Sequence, residues 1–358
     1  MKTYRVGVLG LGRMGSYIDD QQSSRDLPYS IANSTVASDR LELAAGCDLL
    51  ADRRSGFAER HGVPVYEDYA EMVRQETPDI VAVCTTATGL QKPGNRAPAP
   101  DFRGDAHADL TVALADLGVP MLFVEKAVAC SMRRCDELRE AVKRNGTLFN
   151  SGVLRRFDVR YDPVREAVLN GEIGEPVAVV HYARSSLLHG HIHSIDTLSW
   201  LIGDPAISQV RGELEPRDLP IEESFIPHDP LGTYELLFEN GVRGWSIPAG
   251  NWQFEVLGTE GMVRSLDNGA GAVMRRQDGE DRYGWEGCEL PELPPRSATV
   301  SCLEDLVDAF ENSRPTRGHV DVTHHITEAT LAVAESHRRG GSWVDLPIAD
   351  RDLYVFHV

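Results

Sequence analysis

Lysine is scarce in this chain of 358 residues. Only Lys2, Lys92, Lys126 and Lys143 occur, and the other basic side chains are arginine. Basic residues number 36 against 55 acidic ones, so the net charge is −19. Polyphosphates and anionic lipid surfaces attract cations, so this balance argues against nucleic-acid and membrane partners. Long apolar runs are missing too. None approaches the ~20 residues that span a bilayer. The opening MKTYRVGVLGLG enters a strand at once and has no signal-peptide pattern, so secretion is not expected. Six cysteines are scattered without a CxxC pair, which reads as reduced core residues in a cytoplasmic protein.

What is present is an ordinary globular composition, 42% hydrophobic and 25% charged, with length for two domains. Up to about residue 128, apolar runs of strand length (4–9, 41–48, 79–86, 119–126) alternate with helical segments (51–61, 69–75, 106–117). That alternation predicts a doubly wound parallel sheet. The polar, aperiodic segment 16–40 is longer than a usual connection and is expected to include a loop insertion, and the Gly/Pro-rich segment 88–105 reads as a loop able to act as a lid. After residue 128 the pattern changes. Helices are expected at 132–144, 164–170, 302–311 and 322–338. Strand-like runs at 233–240, 242–249, 252–259 and 261–267 are separated by turn signals such as Glu239-Asn240-Gly241. Strands without helices between them suggest an α+β domain with an open, largely antiparallel sheet. The expected domains are therefore 1–128 and 129–358.

Gly10-Leu11-Gly12-Arg13-Met14-Gly15 matches G-x-G-x-x-G, after a predicted strand and at a predicted helix start. That context fits a dinucleotide-binding turn. Gly10 allows the tight turn, Gly12 lets a pyrophosphate approach, and Gly15 lets the helix pack on the strand. Asp48 ends the second strand, where a carboxylate accepts ribose hydroxyls and repels a 2′-phosphate. NAD is favoured. Arg53 and Arg54 follow closely and keep NADP open as an alternative.

The stretch LLHGHIHSIDTLSWLIGDP (187–205) places His189, His191 and His193 at the start of an apolar-periodic helix. Metal ligands, proton-transfer groups and polar caps all fit three such imidazoles. HxxxH puts His189 and His193 on one helical face, but no third ligand is identifiable, and no metal site is expected. Tyr182 and Arg184 share a strand face by alternation.

Taken in order, these segments resemble the Gfo/Idh/MocA family of nicotinamide-dependent oxidoreductases, over nearly the whole chain. The resemblance rests on GVLGLGRMG, Cys84-Thr85-Thr86, and His107-Ala108-Asp109-Leu110 leading to Val124-Glu125-Lys126. It continues through Leu154-Arg155-Arg156-Phe157, GEIGEP (171–176), His193-Ser194-Ile195-Asp196 and EVLGTEG (255–261). It implies a Rossmann domain followed by an α/β domain whose open sheet faces the cofactor and often supports oligomer contacts. It implies cofactor contacts at Gly10, Gly12, Arg13, Met14, Asp48, Thr85, Thr86, His107, Glu125 and Lys126. Lys126 is the family lysine near the reacting oxygen, and His193 is the family's proton-transfer histidine. The family signature Glu-Lys-Pro reads Glu125-Lys126-Ala127 here, and the family's Asp-x-x-x-His has His189 in place of the aspartate. A second imidazole there disfavours double protonation and keeps His193 neutral. His189 is expected to assist and to bind substrate, with Arg156, Tyr182 and Arg184 as further substrate contacts. His191 is expected to cap or pack.

The expected activity is hydride transfer between a nicotinamide cofactor and a secondary alcohol of a sugar, inositol or glycoside. A redox-neutral elimination, epimerisation or glycoside cleavage through transient oxidation is the alternative, and a non-catalytic nucleotide-binding regulator a third reading. By resemblance, a homodimer or homotetramer is expected.

Overall fold

The apolar run at 4–9 is a strand, β1 (Tyr4–Leu9), with Val6 and Val8 fully buried. It forms the centre of a six-stranded parallel sheet in a computed structural model of the chain, which describes residues 2–21, 27–89, 102–277, 279 and 284–357. Most of the loop expected at 88–105 lies outside the described residues. The other strands are β2 (Leu41–Cys47), β3 (Val65–Tyr66), β4 (Ile80–Val83), β5 (Met121–Val124) and β6 (Leu148–Ser151). Their order is β3-β2-β1-β4-β5-β6, that of a dinucleotide-binding doubly wound sheet. Every residue of β4 and β5 is fully buried. Both faces of such a sheet are covered, which explains why these strands read as unbroken apolar runs.

Helices α1 (Ile31–Val36), α2 (Ala51–His61), α3 (Tyr69–Glu76), α4 (Ala106–Asp116) and α5 (Met132–Asn145) connect the strands. Local signals set their ends. Asp68 caps α3 by accepting the Glu71 N–H at 2.8 Å, and Gly62 ends α2 with φ +68°, a conformation glycine adopts freely. Within the segment 16–40, expected to include a loop insertion, the described residues carry helical turns as well. A π-helical turn (Arg13–Tyr17) and a 3-10 turn (Ile18–Gln21) precede α1. Side chains hold this segment where apolar periodicity is missing. Asp19 accepts the N–H groups of Tyr29 (2.7 Å) and Ser30 (3.0 Å) and the Asn33 amide (2.8 Å). Such side-chain-to-backbone bonds leave no periodic signature.

The chain divides into two units, Met1–Phe157 with Arg296–His324 and Phe356–Val358, and Asp158–Pro295 with His325–Val355. The first unit thus holds α5 and β6 beyond residue 128, and takes back helix α8 (Ala298–Asn312) late in the chain. Cys302, Leu303, Leu306 and Val307 of α8 are fully buried and share a core cluster with Val6, Val8, Ile80 and Phe123. Truncating such a leucine to alanine costs about 2–5 kcal/mol.

The second unit begins with α6 (Asp162–Leu169), β7 (Pro176–Tyr182), β8 (Ser185–Ser186), a π-helical turn (Leu187–His191) and α7 (Ile192–Leu201). Strands β9 (Ile207–Glu215), β10 (Phe225–Ile226), β11 (Leu231–Phe238), β12 (Arg243–Ile247), β13 (Gln253–Gly258), β14 (Gly261–Leu266), β15 (Gly271–Gln277) and β16 (Trp285–Cys288) follow. Helix α9 (Val320–Arg338) and the short strands β17 (Val344–Asp345) and β18 (Tyr354–Val355) come last. The large sheet runs β16-β15-β14-β13-β7-β12-β11-β9-β17, with β8 on β11. Among the described residues, only β7 and β12 pair in parallel within it. The alternating burial of β11 shows one covered and one open face, as a half-buried sheet requires.

Candidate functional site

The glycine turn lies in the first unit, at the carboxyl end of β1. Gly10 has φ +90°, and a Cβ there would sit 2.6 Å from the Cys84 and Thr85 backbone. A Cβ on Gly15 would lie 2.0 Å from the Gly10 carbonyl oxygen. Neither position has room for a side chain, so the turn is closed by backbone against backbone. At Gly12 the nearest atom to such a Cβ is Arg53 Nη1, at 3.2 Å. The Arg13 side chain is exposed and bonds Gln21 (2.9 Å), and Met14 packs on the core. These two residues offer a ligand their backbone.

Asp48 braces this turn. Its Oδ2 accepts the Leu11 N–H at 2.8 Å and its Oδ1 the Leu50 N–H at 2.9 Å. Arg53 Nη1 lies 3.6 Å from Oδ2. Arg54 is tied down, to the Asp48 carbonyl at 2.7 Å and to Glu67 at 3.0 Å. A carboxylate oxygen has two lone-pair directions, so each oxygen retains one for a ribose hydroxyl.

A cavity of about 510 Å³ opens beside these groups. Gly10, Asp48, Leu50 and Arg53 form one side, and Thr85, Thr86, Thr88, Asp105 and Asp109 line it as well. Thr85 Oγ1, Thr88 Oγ1 and Asp105 Oδ1 are buried and have no hydrogen-bond partner among the described residues. Sterically glycine-only positions and an acid at the strand end fit a nicotinamide dinucleotide.

His107 and Glu125 lie elsewhere. His107 is 1% exposed; its Nδ1 is 2.7 Å from the Ala127 carbonyl and its Nε2 2.9 Å from the Thr85 carbonyl. Burial pushes its pKa down to about 4, and a neutral ring donates to only one of the two carbonyls. The ring links the segment after β5 to the end of β4. It is absent from the cavity wall. Glu125 is buried against Gly152, whose Cβ would come within 2.8 Å of its Oε2. Burial pushes its pKa up to about 7. Lys126 follows, half-buried, and the Lys126–Ala127 peptide bond is cis. Arg156 sits in a 3-10 turn (Leu154–Phe157) and is only 1% exposed, and its carbonyl accepts Arg317 at 3.0 Å.

The histidines lie in the second unit. Asp229 receives the N–H groups of Leu188 (2.8 Å) and His189 (2.7 Å) and so holds the π-helical turn. A Cβ on Gly190 would overlap Ser185 Oγ at 1.6 Å, which keeps this turn tight against β8. His189 is exposed, His193 half-buried and His191 fully buried. His191 Nε2 contacts the Gly232 carbonyl (2.8 Å) and Nδ1 contacts Ser194 Oγ (3.2 Å), which also accepts the Tyr234 hydroxyl (2.8 Å). Burial lowers the His191 pKa to about 4.

Tyr182 and His181 occupy opposite faces of β7. Tyr182 pairs with Gln253 and Ile247, and His181 with Phe254 and Ser246. The Tyr182 hydroxyl donates to Glu255 at 2.5 Å, and the Arg264 guanidinium lies 4.1 Å from its ring centroid. Burial, with Glu255, raises its pKa to about 12. Arg184 is exposed and pairs with Glu215 at 2.6 Å. The strand residue next to the histidine turn is His181, 5.9 Å from His191 between ring centroids, stacked on Phe254 and against Trp252. Sequence reasoning passed over it because alternation selects Tyr182 or His181 without saying which face α7 covers. Among the described residues no group of three or more His, Cys, Asp or Glu side chains is placed to hold a metal, and no helix is long and apolar enough to cross a membrane.

Residues 4–153 match the family described as "Oxidoreductase family, NAD-binding Rossmann fold". Among curated relatives, an inositol 2-dehydrogenase of Salmonella typhimurium is 27% identical over 216 residues, covering 56% of this chain and 55% of that protein. The chain thus spans about half the length of that relative. The scyllo-inositol 2-dehydrogenase (NAD(+)) of Bacillus subtilis is 26% identical over 362 aligned positions, covering 94% of each chain. Two solved structures share the fold. The aldose-aldose oxidoreductase of Caulobacter crescentus has TM-score 0.75 at 18% identity, covering 96% of this chain and 100% of that one. The myo-inositol 2-dehydrogenase of Lactobacillus plantarum has TM-score 0.67 at 20% identity, covering 96% and 99%. The part of the chain that matches this family of NAD-binding oxidoreductases, residues 4–153, is the part that carries the Rossmann strand order and the glycine turn.

Proposed function

We propose that this protein is an NAD-dependent dehydrogenase or ketoreductase acting on a secondary alcohol of a sugar, inositol or glycoside. The observation that carries the reading is the cavity beside the glycine turn and Asp48, joined to relatives named as inositol dehydrogenases. A bound nicotinamide supplies the hydride acceptor; the protein's part is orientation and proton handling. Lys126 hydrogen-bonds the reacting oxygen and stabilises negative charge that develops there. His193 takes the hydroxyl proton as a neutral base. His189, exposed one turn earlier, donates to or accepts from a neighbouring substrate hydroxyl. Asp48 favours the unphosphorylated ribose, and Arg53 beside it leaves NADP as the alternative cofactor. A homodimer or homotetramer forms through the large sheet, which exposes Val177, Ile247 and Leu257.

The test is NADH absorbance with NAD and a panel of inositols, sugars and glycosides, with products followed by mass spectrometry. Sustained NADH formation on one compound supports the dehydrogenase. Substrate conversion without net NADH replaces it with the redox-neutral reading, and no conversion on the whole panel counts against both.

A further inference from the structure

Strands β2 and β4 flank β1 in the parallel sheet. The segment that leaves β2 therefore stands on one side of the glycine turn, and the segments that leave β4 and enter α4 stand on the other. The cavity opens between them. Asp48, Leu49 and Leu50 belong to the first wall, and Thr86, Phe102 and Leu110 to the second. A ribose on Asp48 carries its base into the space between these walls. Each wall brings an accessible apolar side chain to that space: Leu49 is 60% exposed, and Phe102 is half-buried. A glycine seats the phenyl ring. A Cβ on Gly104 would lie 2.4 Å from Phe102 Cζ and 2.3 Å from the Thr88 carbonyl oxygen. The ring thus rests against Gly104, close to the backbone beyond β4, in a place that any larger residue at 104 would deny it. Apolar and aromatic side chains lining a concave site are the part of its wall that a ligand covers.

We propose that Phe102 is the stacking platform for the cofactor's adenine, covering one face of the base while Leu49 covers the other. This deepens, and rests on, the assignment of the cavity to a nicotinamide adenine dinucleotide. A base presents a flat π-face that an aromatic side chain covers well, whatever groups its edge carries. Phe102 therefore supplies affinity for the base, a role separate from that of Asp48 at the ribose. The adenosine half of the cofactor is held on its own account, so a fragment that keeps it and lacks the nicotinamide depends on Phe102 as much as the whole dinucleotide does.

The experiment is titration of the full chain with NADH, followed by fluorescence, and with ADP-ribose, followed by calorimetry. ADP-ribose keeps the adenosine and the pyrophosphate and lacks the nicotinamide. Thermal melting establishes which variants are folded. Phe102→Ala is expected to weaken both ligands by the same factor, about tenfold, the usual loss when an aromatic platform beneath a base is removed. Phe102→Leu keeps most of the apolar volume over Gly104 and removes the aromatic face. It is expected to weaken both ligands by a smaller factor, about threefold. Wild-type affinity for NADH in a folded Phe102→Ala protein overturns the proposal. So does a loss confined to NADH with ADP-ribose binding unchanged, which would put the effect at the nicotinamide end. If Phe102→Ala does not fold, wild-type affinities in Phe102→Leu overturn it. Wild-type protein that binds neither ligand overturns the cofactor assignment as well, an outcome distinct from unchanged binding in the variants.

Discussion

Asp229 holds the backbone N–H of His189 at 2.7 Å and that of Leu188 at 2.8 Å. The family pattern has an aspartate four residues before the histidine at 193, and this chain has His189 there. A carboxylate still meets this turn, delivered by the loop ahead of β11, about 40 residues downstream. Hydrogen bonds to a charged acceptor are worth about 1.5–3 kcal/mol each. Asp229→Ala is expected to lower stability by about 2 kcal/mol and to reduce turnover, because the turn carrying His189 and entering α7 loses its anchor. Asp229→Asn, which retains one acceptor oxygen, should lose about half as much. Urea denaturation and steady-state kinetics on the three proteins check both; equal stability of wild type and Asp229→Ala would leave the turn anchored by its other contacts.

His193→Ala is expected to lower kcat by about 10²–10⁴-fold, the usual contribution of a positioned general base. NADH affinity should be unchanged, because the groups assigned to the dinucleotide, the glycine turn and Asp48, are left intact. Full turnover in this variant removes His193 from the mechanism.

Gly15→Ala places a methyl group 2.0 Å from the Gly10 carbonyl oxygen. Relief requires the turn to move off β1. We expect a stability loss of about 1–3 kcal/mol, as for overpacking, and a larger proportional loss of NADH affinity, read by thermal melting and fluorescence titration. A Gly12→Ala control meets only the Arg53 side chain at 3.2 Å. It should fold normally and show its defect in binding alone.

Glu125 gives a pH signature. Burial raises its pKa from 4.5 to about 7. Between these values the folded protein holds the proton that the unfolded chain releases, so the contribution of Glu125 to stability is full below 4.5 and is lost as pH rises to about 7. His107, lowered from 6.5 to about 4, acts oppositely: its contribution grows as pH rises through the same range. Glu125→Gln isolates the first effect. The variant should gain stability relative to wild type as pH rises from 4.5 to 7, in paired thermal melts. A constant difference across that range would show that Glu125 does not retain its proton on folding.

The nucleotide-binding half was legible in the chain because its signals are local. Continuous apolar runs forecast strands buried on both faces, and Gly10 and Gly15 stand where a Cβ has no room. The helical turns within the segment 16–40 were not legible because Asp19 and Ser30 hold them with side-chain bonds, which leave no periodicity. His107 and Glu125 fit a motif, but their burial depends on Ala127, Thr85 and Gly152 across the sheet. In the second unit, alternation placed Tyr182 and His181 on opposite faces. Only packing decided that His181 meets the histidine turn while Tyr182 bonds Glu255. By itself the sequence determined the Rossmann order and the glycine turn, since periodicity and backbone freedom are properties of neighbouring residues. The tertiary structure decided the anchor at Asp229 and the brace at Asp48, because a carboxylate's partner is whatever the fold brings within hydrogen-bond reach.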